Sequence, residues 1–262
     1  MRLILPPALL LAFWLSGAAS PVLAQRSLHL GVQSGAGLSH NDTQSNGPLP
    51  GKVRTYDALS IAFNGTLTYR FNEHYALEAA AGWYLTHDGL RYGDLVYART
   101  PDGTPLHMAG RHGSLYPVRQ LRLHALRYLP FAQGKLVGVL GAGGSFAWGR
   151  FAEYAEYYSS YEAGAPEQEY VSFRLAPATQ RRSGWLLGGQ AGLEWRPAPR
   201  HTLALTAQYH LGLRPIYAVR TTEFVYSDAY RGVVETDHHA RFTNRGSYGV
   251  LTLSYQRRLW AR

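Results

Sequence analysis

The chain has 262 residues, of which 46% are hydrophobic and 16% charged, with a formal net charge of +9. A charged fraction well below the roughly 25% of an average soluble domain excludes wholesale disorder, and the length allows one large domain or two small ones. The absence of cysteine excludes a disulfide framework, a thiolate metal site, a cysteine nucleophile and a lipid-modified N-terminal cysteine.

An apolar stretch from Leu3 to Ala19 follows the single basic Arg2 and is broken early by Pro6 and Pro7. It is short for a membrane-spanning helix, which needs about 20 residues. Small or modest side chains precede Gln25, as signal peptidase requires. Residues 1–24 are therefore expected to be a signal peptide cleaved after Ala24, and 25–262 the exported domain.

From Leu28 onward, hydrophobicity alternates with a period of two, the mark of half-buried strands. Residues 27–39 begin the series. Leu59, Ile61, Phe63, Leu67, Tyr69 and Phe71 then oppose Ser60, Asn64, Thr66, Thr68 and Arg70, and Tyr75, Leu77, Ala79, Ala81, Trp83 and Leu85 oppose Glu78 and Tyr84. Residues 27–39, 118–129 and 136–149 fit less cleanly. Leu187, Ala191, Leu193 and Trp195 alternate with Gln190 and Glu194, Leu203 to Leu213 give the clearest case, and Leu251, Leu253 and Tyr255 close the chain. The reading is eight strands of about 12 residues each.

The connections alternate in length. Tight turns fall at Asn72-Glu73-His74, at Ala132 to Lys135 and at Pro197 to His201, whereas 41–55, 88–117, 150–183 and 214–246 are long. An eight-stranded antiparallel sheet could close as a soluble ligand carrier, a sandwich or a membrane barrel. Short turns at one end and long loops at the other favour the barrel. Pairing Arg70 with Ala76 sets Thr68 opposite Glu78 and Tyr69 opposite Leu77. Pairing Arg196 with Thr202 sets Glu194 opposite Ala204, Gln190 opposite Gln208 and Trp195 opposite Leu203. Each pairing keeps one face apolar, as a fixed register requires.

Desolvation decides which face meets lipid, since an arginine near the bilayer midplane costs ~2 to 4 kcal/mol. Arg70, Glu78, Tyr84, Arg122, Gln190, Glu194 and Gln208 are therefore expected to form a polar network in a lumen too narrow to stay empty. Tyr69, Phe71, Tyr75, Phe131 and Trp195 are expected to form one aromatic girdle, and Trp83, Phe146 and Trp148 the other.

These features resemble the small eight-stranded outer-membrane β-barrel proteins of Gram-negative bacteria. The resemblance runs from Ser27 to the C-terminus. It rests on the signal peptide, the segment from Leu77 to Tyr84, the glycine-rich run Gly141-Ala142-Gly143-Gly144 and the closing segment from Tyr248 to Trp260. It implies an all-β, antiparallel, up-and-down transmembrane barrel in the outer membrane, with short periplasmic turns and long extracellular loops. It also implies two sets of partners: outer-membrane lipid including lipopolysaccharide, and the barrel-assembly machinery during insertion, which reads a terminal aromatic. Here Ala261 and Arg262 follow Trp260. The architecture hosts adhesins, small channels, structural proteins and lipid-modifying enzymes, so it transfers little function.

Arginine outnumbers lysine 24 to 2. Arg54, Arg91, Arg111, Arg119, Arg150, Arg182, Arg214 and Arg245 fall near the long-loop ends of strands, where a phosphorylated glycolipid leaflet would meet them. Positive charge spread along an exported chain argues against nucleic acid. Tyr154, Tyr157, Tyr158, Tyr161 and Tyr170, set among glutamates, either contact an extracellular partner or extend a hairpin above the membrane. Asp237-His238-His239 lacks metal-ligand spacing, and no metal or cofactor is expected. Ser39-His40, or Ser247 with His239, could be forced into the role of a lipid A hydrolase, but no catalytic motif is present. The expectation is a monomeric, non-catalytic barrel with a structural or surface-interaction role, with a small passive channel and a lipid A hydrolase as alternatives.

Overall fold

The computed structural model describes residues 26–46, 53–55, 57–87, 90–112, 115–131, 135–150, 156–159, 169–180, 182–228, 231–236 and 239–261. The segment read as a signal peptide lies outside them. The described residues form fifteen strands and no helix.

Eight strands make a closed antiparallel barrel. They are β1 (Ser27–Asn46), β3 (Ala58–Arg70), β4 (Tyr75–His87), β7 (Leu115–Phe131), β8 (Leu136–Gly149), β11 (Ser183–Ala198), β12 (His201–Gly212) and β15 (His239–Ala261). Each pairs with its neighbour in that order, and β1 pairs with β15 to close the ring. The expected registers hold: Arg70 faces Ala76, Thr68 faces Glu78, Glu194 faces Ala204 and Gln190 faces Gln208. Arg196 and Thr202 do not pair, because the ladder shifts between Trp195 and Ala198. Pro197 lies in that interval and has no N–H to give. At the β3–β4 turn, Asn72 Oδ1 accepts from the backbone N–H groups of His74 and Tyr75 at 2.9 and 2.8 Å, an aspartate-like turn mimic that fixes the hairpin.

The alternation places leucine outside and ions inside. Leu205, Leu251 and Leu253 are 50%, 55% and 62% exposed, whereas Arg70, Glu78, Arg122 and Glu194 are buried. A water-soluble carrier would reverse this arrangement, so the carrier reading is excluded.

The long loops are more ordered than the sequence reading anticipated. β2 (Val53–Thr55), β5 (Leu90–Arg99) and β6 (Pro105–His112) form a separate three-stranded sheet. Its β5–β6 turn is held by Thr100 N–H to Thr104 O at 3.0 Å and Gly103 N–H to Thr100 O at 2.8 Å. Hydrogen bonds from the Thr100 and Thr104 hydroxyls hold the Asp102 carboxyl below its ordinary range. β9 (Glu156–Ser159), β10 (Glu169–Gln180), β13 (Tyr217–Asp228) and β14 (Val233–Thr236) continue the barrel wall above its mouth.

The handover between barrel and wall occurs on β15. Below, β15 pairs with β12 as far as Tyr248, and above, with β13 from Asn244. Between these points Gly246 takes φ +76°, a conformation that favours glycine. The Ser247 hydroxyl accepts from Gly212 N–H at 3.0 Å, satisfying the end of β12 as the chain departs.

Val171, Phe173, Val219, Phe224, Tyr226 and Phe242 of the wall are buried in one cluster with Tyr84, Val118, Leu186, Ile216 and Tyr248 of the barrel mouth. Burying a large apolar side chain stabilises by about 1.5–3 kcal/mol. This cluster therefore holds the wall folded inward as a cap.

Candidate functional site

The lumen is filled in layers. Nearest the short turns, Arg70 grips Glu194 through two contacts of 2.7 and 2.9 Å, and Arg196 Nε donates to the same carboxylate at 2.7 Å. The Arg70 guanidinium also lies 4.4 Å from the centroid of the buried Tyr128 ring, within cation–π range.

A second layer centres on Arg122. Its Nη2 donates to Glu78 Oε1 at 2.9 Å and to Gln33 Oε1 at 3.0 Å, and its Nη1 donates to Gln208 Oε1 at 2.6 Å. Thr68 and Gln256 complete the Glu78 shell, and Gln33 reaches Thr252 at 3.1 Å. Gln120 bridges outward from this layer, donating to Asn64 at 3.0 Å and accepting from Tyr248 at 2.8 Å. Charge is thus paired and hydrogen-bonded where desolvation would otherwise be prohibitive.

Five of the seven residues expected in the lumen network, Arg70, Glu194, Arg122, Glu78 and Gln208, lie in these two layers. Gln190 is buried on β11 opposite Gln208 and Gly141. Tyr84 differs: it points inward but belongs to the apolar cap, donating to Gly246 O at 3.1 Å and stacking on Tyr248 at 4.1 Å. Its place near the mouth, beyond the reach of the ions, follows from its position late in β4.

The sequence reading missed His124 and His210. Both are fully buried, and their near-parallel rings lie 5.6 Å apart, with His210 continuing onto Tyr248 at 4.6 Å. Space for them comes from Gly143 and Gly188, which lie between them on β8 and β11. A Cβ on Gly188 would stand 2.5 Å from His210 Nδ1 and 3.1 Å from His124 Nε2. The residue signal was present as lone histidines on inward positions opposite glycines. Parallel rings aim their lone pairs side by side and not at one point, which does not suit a shared metal ion. Among the described residues, no cluster of three or more metal-ligating side chains occurs. Gly188→Ala is expected to lower stability by about 1–3 kcal/mol through overpacking. The check is the urea midpoint of the folded gel band, with partial recovery when His210→Ala is added.

On the outer surface, Phe71, Phe131 and Trp195 are exposed, and Tyr69 and Tyr75 half-buried, beside the short turns. Trp83, Phe146 and Trp148 face outward toward the loop end, where Trp185 adds a ring 5.1 Å from Phe146.

The candidate Ser39–His40 pair is not assembled. Ser39 is fully buried and faces the lumen, while the exposed His40 pairs with Asp57 at 2.9 Å on the other face. The Ser247 hydroxyl is engaged by Gly212, and the His239 side chain lies outside the described residues. Tyr154 and Tyr161 also lie outside them. The backbones of Tyr157 and Tyr158 belong to β9 and that of Tyr170 to β10, so this stretch extends the wall.

No family model and no curated protein matches the chain. Among solved structures, it is similar to the outer membrane protein OprG from Pseudomonas aeruginosa, with 9% identity, 90% of this chain and 96% of that chain covered, and a TM-score of 0.43. It is also similar to Neisserial surface protein A, with 12% identity, 88% and 97% covered and a TM-score of 0.40. A third similarity is to Ail, the attachment invasion locus protein of Yersinia pestis, with 10% identity, 89% and 98% covered and a TM-score of 0.33.

Proposed function

We propose that this chain is a non-catalytic outer-membrane barrel that holds a closed wall in the bilayer and presents its long-loop end outside the cell for surface interaction. The observation that carries the reading is the inversion of the barrel, with an exposed leucine belt outside and paired ions within. Such a belt is stable only against hydrocarbon. The tight turns then face the periplasm, and the wall of β9, β10, β13 and β14 stands outside.

Two blocks argue against conduction. The Arg122–Glu78 layer fills the lumen at one level, and the Phe173–Phe224 cluster covers the mouth at another. The purified protein is expected to require detergent for extraction, to migrate faster unheated than boiled on a denaturing gel, and to give no current steps in planar bilayers. Regular conducting steps would restore the channel reading, and recovery as a soluble periplasmic protein would overturn membrane insertion.

A further inference from the structure

The short-turn half of the lumen carries more positive charge than its carboxylates match. Among the described residues there, the guanidinium groups of Arg70, Arg122, Arg196 and Arg258 meet only Glu78 and Glu194, so four cations against two anions leave a surplus of two. Arg122 is taken up by Glu78, whereas Arg70 and Arg196 share the one carboxylate of Glu194. Arg258 follows Ser254 and Gln256 on the lumen face of β15 and is half-buried, with no carboxylate partner among the described residues. Glu73, the other described carboxylate at this end, is exposed on the β3–β4 turn.

Neighbouring strands bring the surplus together. β3, β1, β15, β12 and β11 follow one another around the ring, and Arg70, His29, Arg258 and Arg196 stand at their short-turn ends. His29 pairs in register with Arg258, and the charges of Arg70, Arg258 and Arg196 all act on its ring. Arg70 and Arg196 lie 4.4 and 5.7 Å from the centroid of the same Tyr128 ring. Backbone bonds hold the two outer arginines in place: Arg196 N–H donates to Lys135 O and Arg258 N–H to Arg200 O, both at 2.8 Å. Donors remain unmatched in this cluster. Arg70 Nε, Arg196 Nη2 and His29 Nδ1 are buried and have no partner among the described residues. The 3.0 Å bond between the Ser27 hydroxyl and His29 Nε2 leaves Nδ1 to act on the other side of the ring. A buried charged donor without an acceptor is costly, so an anion that reaches several of them gains strongly. Access runs in one direction, since the side chain of Arg70 is 7% exposed and that of Arg196, nearer the turns, 28%.

Resting on the outer-membrane reading above, we infer that Arg70, Arg196, Arg258 and His29 form a binding site at the periplasmic end of the lumen for a phosphate group, carried free or as a monoester. A phosphate dianion matches the surplus of two charges, and its oxygens accept from several guanidinium donors at once. A carboxylate, with one charge and two oxygens, matches less of the set. The bilayer is not the source. The β1–β15 pairing closes the wall between lumen and lipid, so the site is reached from the aqueous side below the turns.

The test titrates the exported barrel, in non-ionic detergent at fixed ionic strength and mildly alkaline pH, with inorganic phosphate, glycerol 3-phosphate and acetate, read by calorimetry. Inorganic phosphate is expected to bind saturably and acetate not at all. Saturable binding of glycerol 3-phosphate as well identifies a monoester as the source, and of phosphate alone the free ion. Arg258→Gln should weaken phosphate binding about tenfold, as loss of one charged hydrogen bond implies. Arg257→Gln, one residue away on the exposed outer face, should leave it unchanged. Phosphate should also raise the urea midpoint of the native protein and not that of Arg258→Gln, because a ligand bound only to the folded state stabilises it. Each variant is first checked for heat-modifiable migration, so that loss of binding is not loss of fold. Absence of saturable phosphate binding, equal binding of acetate, an unaltered Arg258→Gln variant, or an Arg257→Gln variant weakened as much would each overturn the site. Those results leave membrane insertion standing, whereas recovery of the protein without detergent overturns insertion and the periplasmic placement together.

Discussion

Replacing Glu78 by leucine is expected to destabilise the barrel by about 3–5 kcal/mol, because it leaves the buried Arg122 without its carboxylate. Arg122 then keeps only neutral acceptors, Gln33 at 3.0 Å and Gln208 at 2.6 Å. Arg122→Met should cost a similar amount by stranding Glu78. The double variant should recover much of the loss, since an apolar pair of similar volume avoids the desolvation of both ions. Urea unfolding followed by gel mobility measures all three. A double variant as unstable as the sum of the singles would show that Arg122 and Glu78 act independently, contrary to their 2.9 Å contact.

The outer surface gives the complementary result. Leu251 is exposed between Ala36 and Ala207, neither of which could receive a charge. Leu251→Arg should lower stability in a bilayer by about 2–4 kcal/mol. If water covered that face, the same change would fall within ~0.5 kcal/mol of neutral, as surface substitutions usually do. Refolding into lipid vesicles across a urea series distinguishes the two, and a neutral result would remove the membrane from the account of this fold.

The barrel was legible because its signal is redundant. Leucine alternation, turn length and hairpin register each point to the same pairing, so the sequence alone sets Glu194 opposite Ala204. The ions were legible as well, since a period of two assigns Arg122 and Glu78 to one face. Which of them touch was not: Arg70 finds Glu194 across the lumen, through a distance in sequence that no periodicity encodes. The cap was read as loop for a different reason. Val171, Phe173 and Leu175 alternate with Ser172 and Arg174 over only five residues before Pro177, too short a run to stand out inside a long connection, and their burial depends on Phe224 and Phe242 from other segments. The His124–His210 pair needed knowledge that Gly143 and Gly188 lie between them, and cross-strand neighbours of this kind emerge only after the ring is closed.

The seam between β1 and β15 runs from the Ser27–Ala261 pair to the Asn46–His239 pair, whereas the β3–β4 ladder ends at Ala62–Tyr84. A barrel that released molecules sideways would have to unzip somewhere. Here the junction of first and last strands is among the longest hydrogen-bonded edges in the ring, continuing well above the bilayer. Lateral parting at that junction would sacrifice its backbone bonds in hydrocarbon, where water cannot replace them. The joint made last in the chain thus behaves as a weld and not as a door.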